Sequence, residues 1–146
     1  MKRILFLLAT VFSFGVFNAS ADNDKIIAKE ALPAAAQAFI NTHFAGLKIS
    51  YAKLERDFLE QSYEVVFTDG IKLEFDRKGA WTDVDCRYGE VPAVVVPQAI
   101  RDYVKSNFPD AKILKIERGV RDYEVKLSNR LELTFDKRLN IIDIDD

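Results

Sequence analysis

Tyr63-Glu64-Val65-Val66-Phe67-Thr68-Asp69-Gly70-Ile71-Lys72-Leu73-Glu74-Phe75-Asp76 is answered sixty positions on by Tyr123-Glu124-Val125-Lys126-Leu127-Ser128-Asn129-Arg130-Leu131-Glu132-Leu133-Thr134-Phe135-Asp136. Apolar side chains alternate with polar ones in both stretches. A turn sequence interrupts each, Thr68-Asp69-Gly70 in the first and Ser128-Asn129-Arg130 in the second, so each reads as a β-hairpin. Leu32-Pro33 and Val96-Pro97, sixty-four positions apart, open helical patterns that run to Phe44 and Phe108. The four-residue difference puts extra chain between the helix and the Tyr-Glu-Val strand of the first copy. The whole reads as a tandem duplication of one helix-plus-strands unit.

Within the unit, Ala36, Phe39, Ile40 and Phe44 recur at three- and four-residue spacing, as do Ile100, Tyr103, Val104 and Phe108. That spacing builds one apolar stripe per helix. Pro33 and Pro97 suit a helix start, and Ala45-Gly46 and Pro109-Asp110 stop the two helices. Helices this short need a docking partner. Strands are expected at Lys48 to Arg56 and Ile113 to Arg118, then in the two hairpins, then at Ala80 to Asp85 and Asn140 to Asp145. Tyr51 and Tyr63 fall at core parity. Alternation implies sheets dry on one face and wet on the other. The expected fold is α+β: a tandem repeat of one helix packed on a four-stranded antiparallel sheet.

The expected boundaries are a signal peptide at 1–21, repeat 1 at 22–86, a linker at 87–95 and repeat 2 at 96–146. Lys2 and Arg3, the apolar run Ile4 to Phe17 and Ala19-Ser20-Ala21 form the export signal. The run is short for a membrane anchor, so no membrane insertion is expected after cleavage, and the localisation is periplasmic or secreted. Two prolines and several valines in and beside the linker indicate that it packs. Losing Lys2 and Arg3 leaves 19 of the 21 basic residues against 23 acidic ones, scattered among each other. Nucleic acid and anionic lipid both need a basic footprint, so neither is an expected partner. Cys86 is the single cysteine. It rules out an internal disulfide and reads as a small apolar residue at a strand end.

Leu-Pro before a helix, Tyr-Glu-Val, a Phe-Asp strand end and Gly79-Ala80-Trp81-Thr82-Asp83-Val84-Asp85 together resemble a known family. So do Val91-Pro92, Val96-Pro97, Tyr103 and Phe108-Pro109. The chain is similar to the β-lactamase-inhibitor-like, PepSY-like proteins exported by Bacteroidetes. The resemblance covers the whole chain after the signal. It implies a tandem helix-plus-sheet architecture and a link to the restraint of secreted hydrolases. It carries over no contact residues, because the matching positions are framework.

Candidate site residues divide by chemistry. His43 is the sole histidine and has no nucleophile motif around it; it reads as a helix-end histidine. No catalytic residue is assigned and no cofactor is expected. Trp81, and Ile141 in the same place in the second copy, are expected on the wet face beside Asp83, Asp85, Asp143 and Asp145, where a large apolar residue would anchor a partner. The competing reading has the opposite strand parity and puts Trp81 under cover. Phe58 and Leu59 form an extended hairpin tip able to enter a partner's cleft. Asp83 and Asp85, with Asp143, Asp145 and Asp146, could hold a hard cation, although neither segment has a calcium-loop sequence. The alternative is that they are solvated charges protecting a strand edge.

These readings combine into an exported, non-enzymatic protein-binding module that uses its open sheet face, with an envelope or secreted protein as partner. One alternative is an inhibitor or modulator of a secreted peptidase or β-lactamase. Another, of a different class, is a small-molecule or calcium sensor built on the strand-end aspartates.

Overall fold

The computed structural model describes residues 24–146; the expected export signal lies outside the described residues. Strand β1 (Lys25–Ile27) leads through a single helical turn to helix α1 (Ala34–His43). Strands β2 (Ile49–Asp57), β3 (Glu60–Phe67), β4 (Lys72–Phe75) and β5 (Trp81–Asp85) follow. Helix α2 (Gln98–Asn107) precedes β6 (Ile113–Arg118), β7 (Asp122–Leu127), β8 (Glu132–Asp136) and β9 (Ile141–Asp145). Each helix starts right after its proline. The Pro33 carbonyl accepts the Gln37 amide, and the Pro97 carbonyl accepts those of Ile100 and Arg101. A missing proline N–H costs nothing at that end of a helix.

The nine strands of the described residues join one antiparallel sheet in chain order. The expectation of separate four-stranded sheets is corrected by the seam between β5 and β6. There Asp83 faces Glu117, Val84 faces Ile116 and Asp85 faces Lys115. A four-stranded sheet leaves two bare edges, and pairing them satisfies backbone groups that would otherwise need water. Strand β1, three residues long, adds to the outer edge of β2.

Two adjacent rows of side chains cross the sheet and define its faces. Ala52, Val65, Leu73, Val84, Ile116, Val125 and Leu133 lie opposite one another on successive strands, and all are buried. The helices cover this row, with Ala36, Ile40, Ile100 and Val104 fully inside. Phe39 meets Phe75 edge-on at 5.7 Å, and Tyr103 meets Phe135 edge-on at 5.4 Å. Burying such side chains contributes about 1.5–3 kcal/mol each before entropy is charged against it.

The segment between the halves is exposed over residues 87–90 and packs at its valines. Val91, Val95 and Val96 are buried, the Val91 amide donates to Ile113 O, and the Cys86 amide donates to Leu114 O. Irregularities recur at equivalent places. The register shifts at Ile49/Tyr51 and Ile113/Lys115, and again at Glu74/Phe75 and Thr134/Phe135. The first shift moves Tyr51 off core parity and onto the open face, where its hydroxyl donates to Glu64 Oε1 at 3.0 Å. Tyr63, paired with Leu54 and Phe75 away from that shift, stays buried.

Candidate functional site

The shift at Glu74/Phe75 decides where Trp81 goes. It pairs Trp81 with the fully buried Phe75 instead of continuing the outward row from Asp83. Trp81 is therefore half-buried and packs against the core, rather than standing beside Asp83 and Asp85. The same shift at Thr134/Phe135 pairs Ile141 with Phe135, and Ile141 also packs inward. A bulge adds one residue to one strand and so breaks the two-residue period on which the sequence parity rested.

Arg118 closes over Trp81. Its guanidinium carbon lies 4.4 Å from the ring centroid, and Nε and Nη2 both donate to Trp81 O. On the neighbouring hairpin, Lys137 Nζ sits 4.5 Å from the centre of the Tyr123 ring. Sequence reasoning passed over Arg118. The available signal was a cation at inward parity after Ile116, since a buried-side arginine needs a ring or a carbonyl to receive it.

Phe58 and Leu59 form the two-residue tip between β2 and β3, with exposures of 95% and 88%. Val120, at the tip between β6 and β7, is 94% exposed. Between the two tips runs an open groove of about 720 Å³. Leu59 and Val120 stand on its walls, and Arg77, Arg118, Lys137 and Thr82 line it.

The open sheet face carries the second row. Lys53, Glu64, Glu74, Asp83, Glu117, Glu124, Thr134 and Asp143 lie opposite one another across eight strands. Lysines between them bind several of these carboxylates. Lys72 lies 3.8 Å from Glu64 and 3.5 Å from Glu74, and Lys115 lies 3.4 Å from Asp83 and 3.3 Å from Glu117. Asp83 is only 5% exposed, and its Oδ1 is buried without a hydrogen-bond partner. Burial pushes its carboxyl up to about 7; Lys115 opposes the shift, and Glu117 and Glu74 add to it.

The aspartate set does not gather at one point. Asp83 and Asp143 stand four strands apart, or roughly 19 Å at the usual strand spacing. Asp85 Oδ1 accepts the Arg87 amide, and Asp145 Oδ1 accepts the Asp146 amide. Asp145 also faces Glu132. Among the described residues no group of three or more His, Cys, Asp or Glu is arranged to hold a metal ion. His43, in the last turn of α1, meets the Phe39 ring in a tilted contact at 4.7 Å. Cys86 is buried, and desolvation raises its thiol to about 11.

Comparison with known proteins places this architecture. Residues 61–143 match the family described as "Putative beta-lactamase-inhibitor-like, PepSY-like", and the chain belongs to that family. Three solved Bacteroides structures are similar to it over nearly their whole length. One, from Bacteroides thetaiotaomicron, is described as a "putative calcium-regulated periplasmic protein". It is 56% identical with a TM-score of 0.83, covering 86% of this chain and 98% of its own. A second, from Bacteroides vulgatus and described as a "putative periplasmic protein", is 57% identical with a TM-score of 0.84, over 86% and 99%. Another from the same species, described as of unknown function, is 40% identical with a TM-score of 0.80, over 84% and 99%. No curated protein matches the chain. Among the described residues no helix is long and apolar enough to cross a membrane.

Proposed function

We propose that the chain is a periplasmic, non-catalytic protein-binding module whose contact region is the end of the sheet bearing the two hairpin tips. The observation that carries this is the pair of almost fully exposed apolar tips, Phe58-Leu59 and Val120, on either side of one groove. Large apolar side chains held that far into water cost free energy unless a partner covers them. The open sheet face is the weaker candidate, because Trp81 is not available there and lysines already bind several of its carboxylates. The periplasmic relatives support the compartment. The recurring register shifts support the reading of the two halves as tandem copies. Restraint of a secreted peptidase or β-lactamase is a specific form of the same function, with the Phe58-Leu59 tip entering the hydrolase cleft.

The test is capture of envelope proteins by the chain and by a Phe58→Ser/Leu59→Ser double variant. Loss of specific partners at unchanged melting temperature is the expected result. An identical capture profile would sink the reading.

A second reading, response to calcium, draws on the relative described as calcium-regulated and on the facing carboxylates Asp145 and Glu132 at the β9 edge. Millimolar calcium should then raise the melting temperature of the wild type, and Asp143→Asn/Asp145→Asn should abolish the rise. An unchanged wild-type curve removes this reading.

A further inference from the structure

The groove between the tips has a charge character opposite to that of the protein around it. The chain carries a formal net charge of −2, yet three cations line this groove, Arg77, Arg118 and Lys137, against two carboxylates, Glu60 and Asp76. Asp76 is held on its own turn, where its Oδ1 accepts the Lys78 and Ala80 amides at 2.9 and 3.0 Å, so the cations keep a surplus of one. Two of the cations are held in place by aromatic rings, Arg118 by Trp81 and Lys137 by Tyr123. None of the three has a carboxylate within ion-pair distance among the described residues. Cations fixed in advance lose little freedom when an anion arrives.

We propose that this groove takes an acidic, extended polypeptide segment, with carboxylates meeting Arg77, Arg118 and Lys137 and with apolar side chains resting on Leu59 and Val120. The proposal rests on the protein-binding reading and specifies the chemistry of the partner. The apolar walls favour a polypeptide over a phosphate-rich polymer, which offers no side chains for Leu59 and Val120 to cover. The groove volume is in the range that holds a few residues of bound chain.

The probe is a random dodecapeptide display library panned on the folded protein, followed by fluorescence anisotropy of enriched peptides. Enriched sequences should combine Asp or Glu with aliphatic or aromatic residues. Their affinity should fall by about tenfold or more in Arg77→Glu and in Lys137→Glu, and should weaken with salt. Trp81, the only tryptophan, should change its emission on binding as Arg118 is recruited. Arg77 and Lys137 are both exposed, so circular dichroism should show both variants folded. Basic or neutral enriched peptides, no enrichment, or equal affinity for the charge-reversed variants would each overturn the proposal. Tight binding of a single-stranded oligonucleotide with the same charge dependence would do so too. If the tip double variant loses its native partner while charge reversal changes nothing, the protein-binding reading stands and this one fails.

Discussion

Arg118 reaches across the sheet seam to Trp81, stacking 4.4 Å above its ring and donating two hydrogen bonds to its carbonyl. The paired residues of β5 and β6 end at Asp83 and Glu117, so this clamp extends the junction beyond the ladder. Arg118→Ala should lower stability by about 1–3 kcal/mol, the range for a charge-assisted hydrogen bond with a cation–π contact. Arg118→Lys should recover only part, since an ammonium cannot both stack and donate through a planar fork. Urea unfolding followed by Trp81 emission measures both, and an unchanged midpoint in the alanine variant would show that the clamp contributes nothing.

Asp83 makes the fold sensitive to pH in a stated direction. Its folded carboxyl titrates near 7, against an ordinary value of 3.8. The unfolded chain therefore releases this proton first, and the Asp83 contribution to stability falls as pH rises from about 4 to 7. Beyond that it is constant. Asp83→Asn removes the titration, so the variant should gain on the wild type across the same window, by at most about 1.4 kcal/mol per pH unit. Parallel curves for the two proteins between pH 4 and 7 would contradict this account.

Gly79 is required by space as well as by conformation. Its φ is +85°, and an added Cβ would come within 2.8 Å of Pro33 Cβ and 2.9 Å of Ala36 N. The β4–β5 turn is thus seated against the start of α1. Gly46 shares the left-handed conformation at φ +81° but faces open space. Gly46→Ala should cost about 1–2 kcal/mol from backbone strain alone. Gly79→Ala should cost distinctly more. Leu139, with φ +66° in the matching turn of the second half, shows that the conformation itself can be borne. Equal melting temperatures for the two alanine variants would refute the close-approach argument.

Cys86 should be chemically silent in the folded protein. The thiolate is the reactive form, and burial raises the thiol to about 11. A disulfide-exchange reagent at pH 8 should label it only as fast as the chain opens, and readily in denaturant. Rapid labelling of native protein would show that the site is accessible after all.

The helices and hairpins were readable because their signals are local. Pro33 and Pro97 marked the helix starts, and alternation marked Tyr63 to Phe67 and its counterpart. The positions of Trp81 and Tyr51 were not readable, since each depends on a single extra residue in a strand that leaves no mark in the hydrophobic pattern. The junction of the halves was missed for a different reason. Val84 and Ile116 are separated in sequence by a whole helix, and nothing local says that their strands are neighbours. Arg118 belongs to the same blind spot, because its partner is defined only once that junction exists. The exposed tip at Phe58 and Leu59 was legible as extra length between matching strands.

The single sheet has a consequence for how the chain can be divided. Val84 and Ile116 are each wholly buried and lie opposite one another across the seam. Neither half can therefore be released as a finished domain. A fragment ending at Cys86, or one beginning at Val91, would present a bare strand edge with an apolar row running up to it, a template for pairing with another chain. Such fragments should self-associate, or reassemble with each other when mixed, whereas the intact chain should melt in one step. Protease resistance of the 87–95 segment would thus be a property of the junction it spans as much as of its prolines.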